Sequence, residues 1–127
     1  KHAYSEDGID WTPSDKIVMP QETEFDAYAK PSIFRMNDLF AMYFSKRQVV
    51  NYRSKGESAY SLGFATSRDL INWDRDDCSR GIETSSHGWD SEMICYPNIV
   101  KIEDRYLMFY NGNGFGKSGI GFAELEA

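Results

Sequence analysis

The chain has 127 residues and a formal net charge of −6, with 41% apolar and 15% aromatic residues. The apolar share is enough for one hydrophobic core, and the aromatic content favours strands over helices. The acidic balance argues against nucleic acid and anionic membranes as partners, and the longest apolar run, residues 39–44, is far too short to span a bilayer. Because the chain starts at Lys1 with neither an initiating Met nor a signal peptide, we expect an excised piece, and no cellular location follows.

The first element is a turn, SEDGIDW at residues 5–11, and a close copy, SRDLINW, stands at residues 67–73. In each copy an Asp follows the Ser by two residues, where its carboxylate can accept hydrogen bonds from backbone N–H groups of its own turn. Gly8 supplies a positive φ in the first copy, whereas Leu70 stands at that position in the second. A Trp ends each copy, so both predict a corner between two strands.

Longer segments repeat as well. The segment AKPSIFRMNDLFAMYFS (29–45) aligns with CYPNIVKIEDRYLMFYN (95–111), and LGFATS (62–67) resembles IGFAEL (120–125). The offsets of 58 to 66 residues give a period in the low sixties, which is too long for helical or leucine-rich repeats and suits a unit of four strands.

Alternation and turn signals predict the strands of these units. The first complete unit has predicted strands at residues 31–36, 39–45, 60–66 and 73–75. The second has three, at residues 97–102, 105–111 and 118–124. Tight hairpin turns are expected at Asn37-Asp38 and Glu103-Asp104. No segment has helical periodicity, so the sequence predicts an all-β fold.

Repeated four-stranded antiparallel units are typical of the blades of a β-propeller. The prediction is a single partial propeller domain, residues 1–127, that holds about two blades. In this interpretation residues 1–15 are the tail of a preceding blade, 27–77 form a complete blade, and 93–127 form a last blade without its outer strand. Closed propellers have about four to eight blades, so either missing blades of a parent chain or copies in a homo-oligomer are expected to cover the open faces.

These motifs resemble the five-bladed propeller glycosidases of glycoside hydrolase families 43, 32 and 68. The resemblance rests on S-x-D-L-x-x-W after A-T-S, on the K-P-S-I-F…Y-F-S pair, and on CYPNIV…YLMFYNGNGFGKSGIGFA, and it covers essentially the whole chain. It implies a carbohydrate-active protein that hydrolyses glycosidic bonds, with a carbohydrate ligand and no cofactor. The end GIGFAELEA resembles the natural C-terminus of such a protein, so this chain is expected to be the C-terminal part of a longer parent.

Loop lengths predict where a site lies. The long connections are residues 12–30, 46–59, 74–96 and 112–117. In an up-and-down blade they share one face, and long loops on a rigid scaffold are where function usually resides.

Three carboxylates near this face are the candidate catalytic residues. Asp26 and Glu92 each stand five residues before a proline that opens an inner strand, and Asp90 lies two residues before Glu92. Glycoside hydrolysis needs a proton donor and a second carboxylate about 5 to 9.5 Å apart, which carboxylates from adjacent blades can provide. The alternative interpretation is that Asp26 and Asp90 cap loop turns and that Glu92 is an exposed side chain.

The resemblance itself transfers no catalytic carboxylate to this chain. The family uses three carboxylates from three inner strands, with the supporting Asp directly before a proline and the Glu one or two residues before Cys or Pro. Here Lys30 and Tyr96 precede the prolines, Glu92 lies three residues before Cys95, and a first blade is absent. The isolated chain is therefore expected to be inactive, and a non-catalytic segment for glycan binding or assembly is the alternative function.

The segment HGWDSEMICYP (87–97) supplies most of the candidate substrate-binding residues. His87, Trp89 and Tyr96 accompany the carboxylates there, and aromatic rings beside carboxylates can stack on sugars and bind their hydroxyls. The alternative is that Trp89 and Tyr96 pack between blades. Lys30 is the further candidate, at the start of the other inner strand.

The glycine-rich segment NGNGFGKSG (111–119) adds Asn111 and Asn113, which either turn the loop or line the pocket. It connects two strands and leads to no predicted helix, so a phosphate cradle is not expected.

The segment SKRQVVNYRSK (45–55) collects four basic residues in one long loop, Lys46, Arg47, Arg53 and Lys55. Such a run is usually solvated, and the alternative is a ligand that is an acidic sugar or a phosphate. No metal site is predicted, because His2 and His87 are far apart and lack companion ligands.

Overall fold

The computed structural model describes residues 1–54 and 56–125, which form three antiparallel sheets. Sheet 1 pairs β1 (Ala3–Tyr4) with β2 (Thr12–Pro13). Sheet 2 has the order β3-β4-β5-β6, with β3 Asp26–Met36, β4 Leu39–Gln48, β5 Ser61–Ser67 and β6 Asp74–Arg75. Sheet 3 has the order β7-β8-β9, with β7 Cys95–Ile102, β8 Arg105–Asn111 and β9 Ile120–Glu124.

The predicted antiparallel strands are confirmed, but the prediction of a chain without helix needs correction. One helical turn, Asn113–Gly116, lies inside the glycine-rich loop, where Gly114 and Phe115 have left-handed φ values of 63° and 61°. A 3-10 helix, Asp77–Arg80, follows β6. Single turns carry too few residues to show a helical period, so the sequence pattern could not indicate them. The described residues contain no apolar helix of membrane-spanning length.

The repeat seen in the sequence is also present in the backbone pairing. In sheet 1, Ala3 pairs with Pro13, and 62 residues later Ala65 of β5 pairs with Arg75 of β6. Sheet 1 therefore has the same register as the last two strands of sheet 2. The two sheets differ in size because residues 1–15 include only this strand pair.

The two corners are closed by the same hydrogen bonds. The Asp7 carboxylate accepts the backbone N–H groups of the residues two and three positions on, and Asp69 does the same in the second corner. These donors hold the pKa of both carboxyls below the usual range. Leu70 has a φ of 65°, close to the 76° of Gly8, so the second corner holds a leucine in a conformation that usually favours glycine.

We call β3 and β7, the first strands of sheets 2 and 3, the inner strands. They contain matching bulges. The pairing of β3 with β4 shifts between Ala29 and Ser32, where Lys30 has a φ of 51°. The pairing of β7 with β8 shifts around Tyr96, whose φ is 58°. A bulge re-aims the side chains that follow it, so both inner strands change direction just before a proline.

The main core lies between sheets 2 and 3. Leu62 of β5 packs against Ile94, Met108 and Tyr110, and all four are buried. A hydrogen bond from the Ile99 N–H to the Ser32 hydroxyl at 2.8 Å joins β7 to β3. Burial of these side chains is the dominant favourable term for docking the two sheets.

Equivalent residues show that sheet 3 leaves an apolar face uncovered. Leu62 of sheet 2 is 0% exposed, whereas its repeat partner Ile120 in sheet 3 is 70% exposed. Phe64 is 8% exposed, whereas its partner Phe122 is 58% exposed. Sheet 3 covers this face of sheet 2, and nothing in the described part of the chain covers the same face of sheet 3.

The opposite end of the stack is also apolar. A cavity of 630 Å³ opens there against β3 and β4, and its lining includes Ile17, Met19 and Phe44. Sheets 2 and 3 form a stack, and both ends of this stack therefore expose apolar surfaces like those that are buried between the two sheets.

A network of charges ties β4, β6 and the 3-10 helix together. Asp77 accepts hydrogen bonds from Arg75 at 2.7 Å, from Lys46 at 2.6 Å and from the Phe64 N–H at 3.1 Å. Arg75 also donates to the Tyr28 hydroxyl at 2.6 Å. Burial alone would raise the pKa of Asp77, but the bonds from Arg75 and Lys46 outweigh it and hold the pKa well below its usual range.

We predict that Asp77→Asn destabilises the fold at pH 7, because it removes the carboxylate that pairs with Arg75 and Lys46 and leaves Arg75 only the exposed carboxylate of Glu22 at 3.4 Å. The expected loss is about 2 to 4 kcal/mol, near the lower end of the cost of breaking a buried pair. Because the pKa of Asp77 is depressed, its contribution is complete above the ordinary Asp value of 3.8 and is lost as the pH falls below it.

Urea unfolding of both proteins from pH 7 to pH 3 measures this effect. The difference in unfolding free energy should shrink below about pH 4. Asp74→Asn removes an exposed carboxylate of the same strand and is the control. A difference that stays constant over the whole pH range would contradict the prediction.

Candidate functional site

Three long loops converge beside sheets 2 and 3. They comprise residues 46–60, of which 46–48 are the end of β4, together with 87–94 and 112–119. Lys55 is outside the described residues, and we call the common surface of these segments the loop face. The Tyr52 ring lies 6.5 Å from the Phe115 ring, and the Tyr60 ring lies 5.5 Å from Phe115 and 5.6 Å from Tyr96. Met93 is buried in the same cluster. Aromatic packing thus brings the three loops together.

Asn113 fixes the backbone of the loop that carries Glu92. Its Oδ1 accepts the N–H groups of Glu92 at 2.7 Å and Met93 at 3.2 Å, and its Nδ2 donates to the Gly88 carbonyl at 3.0 Å. Asn113 begins the unexpected helical turn, which positions its amide under the neighbouring loop. The structure therefore favours the interpretation that Asn113 shapes this loop, and it holds the half-buried Glu92 at a defined place on the loop face.

Asp90 points into the core. Its residue is 5% exposed, and its Oδ2 accepts a hydrogen bond from the Tyr110 hydroxyl at 3.1 Å. Its Oδ1 is buried and has no hydrogen-bond donor within the described residues. Burial and the bond to Asp90 raise the pKa of Tyr110 to about 12, so the phenol stays protonated and keeps donating at neutral pH.

Trp89 packs against the glycines of the second repeat. Its indole stacks on Tyr110 with ring centroids 5.3 Å apart and an interplanar angle of 27°. A Cβ atom added to Gly112 would lie 2.4 Å from the Trp89 ring, and one added to Gly121 would lie 2.5 Å from it. The glycines that made the 111–119 segment conspicuous therefore leave room for this indole. Packing accounts for Trp89, and stacking on a sugar stays a prediction.

Asp26 closes a local turn at the start of β3. Its carboxylate accepts the Thr23 N–H at 2.9 Å and the Tyr28 hydroxyl at 3.3 Å. The bond from Thr23 is the main cause of the lowered pKa of Asp26. Asp26 also lines a pocket of 180 Å³ together with Lys46 and Arg47, and among the described residues this lining includes neither Asp90 nor Glu92.

The remaining predicted residues differ in their surroundings. His87 is exposed, and its Nδ1 lies 2.9 Å from the Ser86 hydroxyl. Lys30 is exposed in the bulge of β3. Asn111 donates to the Phe115 carbonyl at 3.1 Å and so shapes the helical turn.

Tyr96 lies in β7 and contacts both β4 and the aromatic cluster of the loop face. Its N–H donates to the Ser45 hydroxyl at 2.7 Å. Burial and the hydrogen bond with Tyr60 raise its pKa to about 12. The predicted residues thus fall into two groups, one around residues 87–96 with the loop of Asn113 and one around Asp26.

Tyr52, Tyr60 and Phe115 belong to the loop face but were not predicted, and Arg47 was named only as a member of the basic run. The only signal was the basic run at residues 45–55, which does not reveal which aromatic rings its arginines contact. In the described part of the chain, no three His, Cys, Asp or Glu side chains are close enough together to hold a metal ion.

Comparison with known sequences gives distant relatives. The chain matches no protein-family model. Two uncharacterised proteins from two strains of Mycobacterium tuberculosis are 30% identical over 127 residues, which cover 99% of this chain and 40% of theirs. A 1,2-β-oligomannan phosphorylase of Thermoanaerobacter sp. is 27% identical over 111 residues, covering 86% of this chain and 33% of that protein. The chain therefore spans about 40% of the length of the first of these relatives.

Comparison with solved structures shows the fold. A glycoside hydrolase superposes with a TM-score of 0.73 and 22% identity over 98% of this chain and 35% of its own. A family 117 glycoside hydrolase from Zobellia galactanivorans superposes with a TM-score of 0.63 and 14% identity, over 81% of this chain and 36% of its own. The chain thus has a fold that forms part of glycoside hydrolase structures, which agrees with the predicted resemblance to glycosidases, whereas the relation to families 43, 32 and 68 stays a prediction.

We predict that Gly121→Ala destabilises the protein by about 1 to 3 kcal/mol, because the new methyl group overlaps the Trp89 indole. Urea unfolding of the single variant measures the loss. Trp89→Leu removes the overlapping ring, so the same glycine substitution should cost less in that background. An equal cost in both backgrounds would show that the indole does not set the requirement for glycine.

Proposed function

We propose that this chain is part of a carbohydrate-active β-propeller that hydrolyses glycosidic bonds through paired carboxylates. The observation that carries the proposal is the Asn113 clamp, which holds Glu92 on the loop face of a fold found in glycoside hydrolases. A fixed backbone at a carboxylate is what a proton donor needs, because catalysis depends on the position of the donor relative to the bond that breaks.

The proposal includes a propeller fold related to families 43, 32 and 68. Two features support the propeller: the strand pairing that repeats between sheets 1 and 2, and the apolar surfaces at both ends of the pair formed by sheets 2 and 3. Since 127 residues make up 40% of the Mycobacterium relatives, those proteins have about 318 residues, about five times the repeat length. Three further units would then bridge the exposed face of Phe122 and the cavity beside Phe44. In this arrangement the inner strands surround a common axis, and the loop face forms the rim of a central pocket.

The two carboxylates take different proposed roles. Asp26, whose carboxylate accepts the Thr23 N–H and the Tyr28 hydroxyl, is the proposed base or nucleophile. Glu92 is the proposed proton donor to the leaving oxygen. Asp90, which is buried against Tyr110, supports the loop between them rather than reaching the sugar directly. The proposed sugar contacts are His87, Trp89, Tyr96, Lys30, Asn111 and Asn113.

Glycan binding without catalysis is the second candidate function. It is favoured by the lining of the Asp26 pocket, which within the described residues does not include Glu92. Saturable oligosaccharide binding without product would support this function over hydrolysis.

We predict that Glu92→Gln abolishes turnover in a polypeptide that carries this chain together with the remaining blades. General acid catalysis contributes about 10²- to 10⁴-fold, so the rate on a glycoside with a poor leaving group should fall within that range. The amide keeps the size of the side chain and the backbone bonds to Asn113, and urea unfolding verifies that the variant is folded. Glu83→Gln, on an exposed residue outside the loop face, is the matched control. Unchanged turnover would remove Glu92 from the mechanism.

We also predict that the 127-residue chain self-associates, because its two apolar ends are complementary and form a head-to-tail contact. Light scattering on a sizing column should give a mass above 14.6 kDa. Phe122→Asp should shift the mass toward the monomer, whereas Ile9→Asp changes an exposed residue of the first corner and should not. A compact wild-type monomer would contradict the predicted need for covering blades.

A further inference from the structure

Two arginines share one aromatic ring on the loop face. The guanidinium carbon of Arg47 lies 3.9 Å from the centre of the Tyr52 ring, and that of Arg53 lies 4.4 Å from it. The two positive charges are therefore at most about 8 Å apart, a separation at which like charges repel in a partly buried site. The face of a tyrosine ring attracts both cations and so offsets part of this repulsion, but the ring carries no net negative charge.

Neither arginine has a counter-charge among the described residues. Arg47 donates to the Tyr60 hydroxyl at 3.0 Å and to the Gln48 carbonyl at 2.8 Å, and both acceptors are neutral. Within residues 1–54 and 56–125, no ion pair involves Arg47 or Arg53, in contrast to Arg75, which is paired with Asp77. The ring of Tyr52 thus carries two guanidinium groups whose charge is not neutralised by these parts of the chain.

Acceptors for hydroxyl groups lie beside this pair of cations. Arg47 lines the pocket of 180 Å³ with the carboxylates of Glu22, Asp26 and Glu57, and no nitrogen of Arg47 lies within ion-pair distance of them. Tyr52 and Arg53 lie outside this lining, so a ligand that binds both arginines extends from the Tyr52 ring past Arg47 into the pocket with its carboxylates. A neutral sugar satisfies only the acceptors, whereas an inorganic anion satisfies only the donors.

We infer that Arg47, Tyr52 and Arg53 form a clamp for the charged group of an acidic sugar, one that carries a carboxylate or a phosphate. Guanidinium groups bind both anions through paired N–H donors, and the hydroxyl groups of the sugar donate to the neighbouring carboxylates. This inference deepens the proposed function by naming a substrate class. It rests on that proposal only for the reaction, because binding of an acidic sugar requires no turnover.

Calorimetric titration of the 127-residue protein at low salt tests the clamp. The probes are galacturonate and glucose 6-phosphate, their neutral parents galactose and glucose, and inorganic phosphate. If an acidic sugar binds, its affinity should be at least about tenfold higher than that of its neutral parent, because the contact with the arginines is charge-assisted. Binding of galacturonate alone identifies a carboxylate as the recognised group, and binding of glucose 6-phosphate alone identifies a phosphate.

Variants separate the clamp from the general charge of the protein. Arg47→Ala and Arg53→Ala should each weaken binding of the acidic sugar at least about tenfold. Arg68→Ala removes the same charge from an exposed residue of the second corner and should leave binding unchanged. Arg47→Lys keeps the charge but not the fork of donors, so it should weaken binding by an intermediate factor. The urea midpoint of each variant verifies that it is folded.

Three results would overturn the inference: no binding of either acidic sugar, equal losses for Arg53→Ala and Arg68→Ala, or inorganic phosphate binding as tightly as glucose 6-phosphate. The inference and the proposed hydrolysis fail separately. Unchanged turnover in Glu92→Gln alongside Arg47-dependent binding would refute hydrolysis and leave the clamp intact. Turnover that depends on Glu92 but shows no preference for acidic sugars would refute the clamp and leave the proposed hydrolysis intact.

Discussion

The packing of sheet 2 against sheet 3 is the contact on which the rest of the structure depends. Leu62 from one sheet and Ile94, Met108 and Tyr110 from the other form its apolar centre. Loops that leave these strands are carried to the same side only while the sheets stay docked. Without this burial, the loops of Tyr52, Glu92 and Phe115 would have no fixed relation to one another, because few of their contacts are within a single sheet.

The candidate site is built outward from that core by residues with mainly structural contacts. Trp89 covers Tyr110 and requires glycine at positions 112 and 121, and the loop it anchors then passes beside Asn113. Asp90 is directed inward to the Tyr110 hydroxyl, whereas Glu92 follows two residues later at the half-buried edge. One short loop thus places one carboxylate in the core and another beside the surface, which allows them different chemical roles.

The charged groups of sheet 2 divide in a similar way. Arg75 and Lys46 are neutralised by Asp77 and hold the outer strand to the sheet. Arg47, the next residue after Lys46, contacts aromatic rings instead, although both residues line the pocket beside Asp26. Their contacts therefore distinguish a structural cation from one available for binding, although the two are adjacent in a basic run.

The sequence by itself determined the antiparallel strands, the two corners and the repeat length, because strand alternation, turn residues and self-similarity are local or periodic signals. It also indicated the loops that carry the candidate residues. Only the tertiary structure decided the direction of Asp90, the packing of Trp89 on glycines, the helical turn at Asn113 and the two arginines on Tyr52. The first two depend on contacts between residues that are distant in the chain, the third on a left-handed turn, and the arginine pair on the path of one loop. None of these leaves a periodic pattern in the sequence.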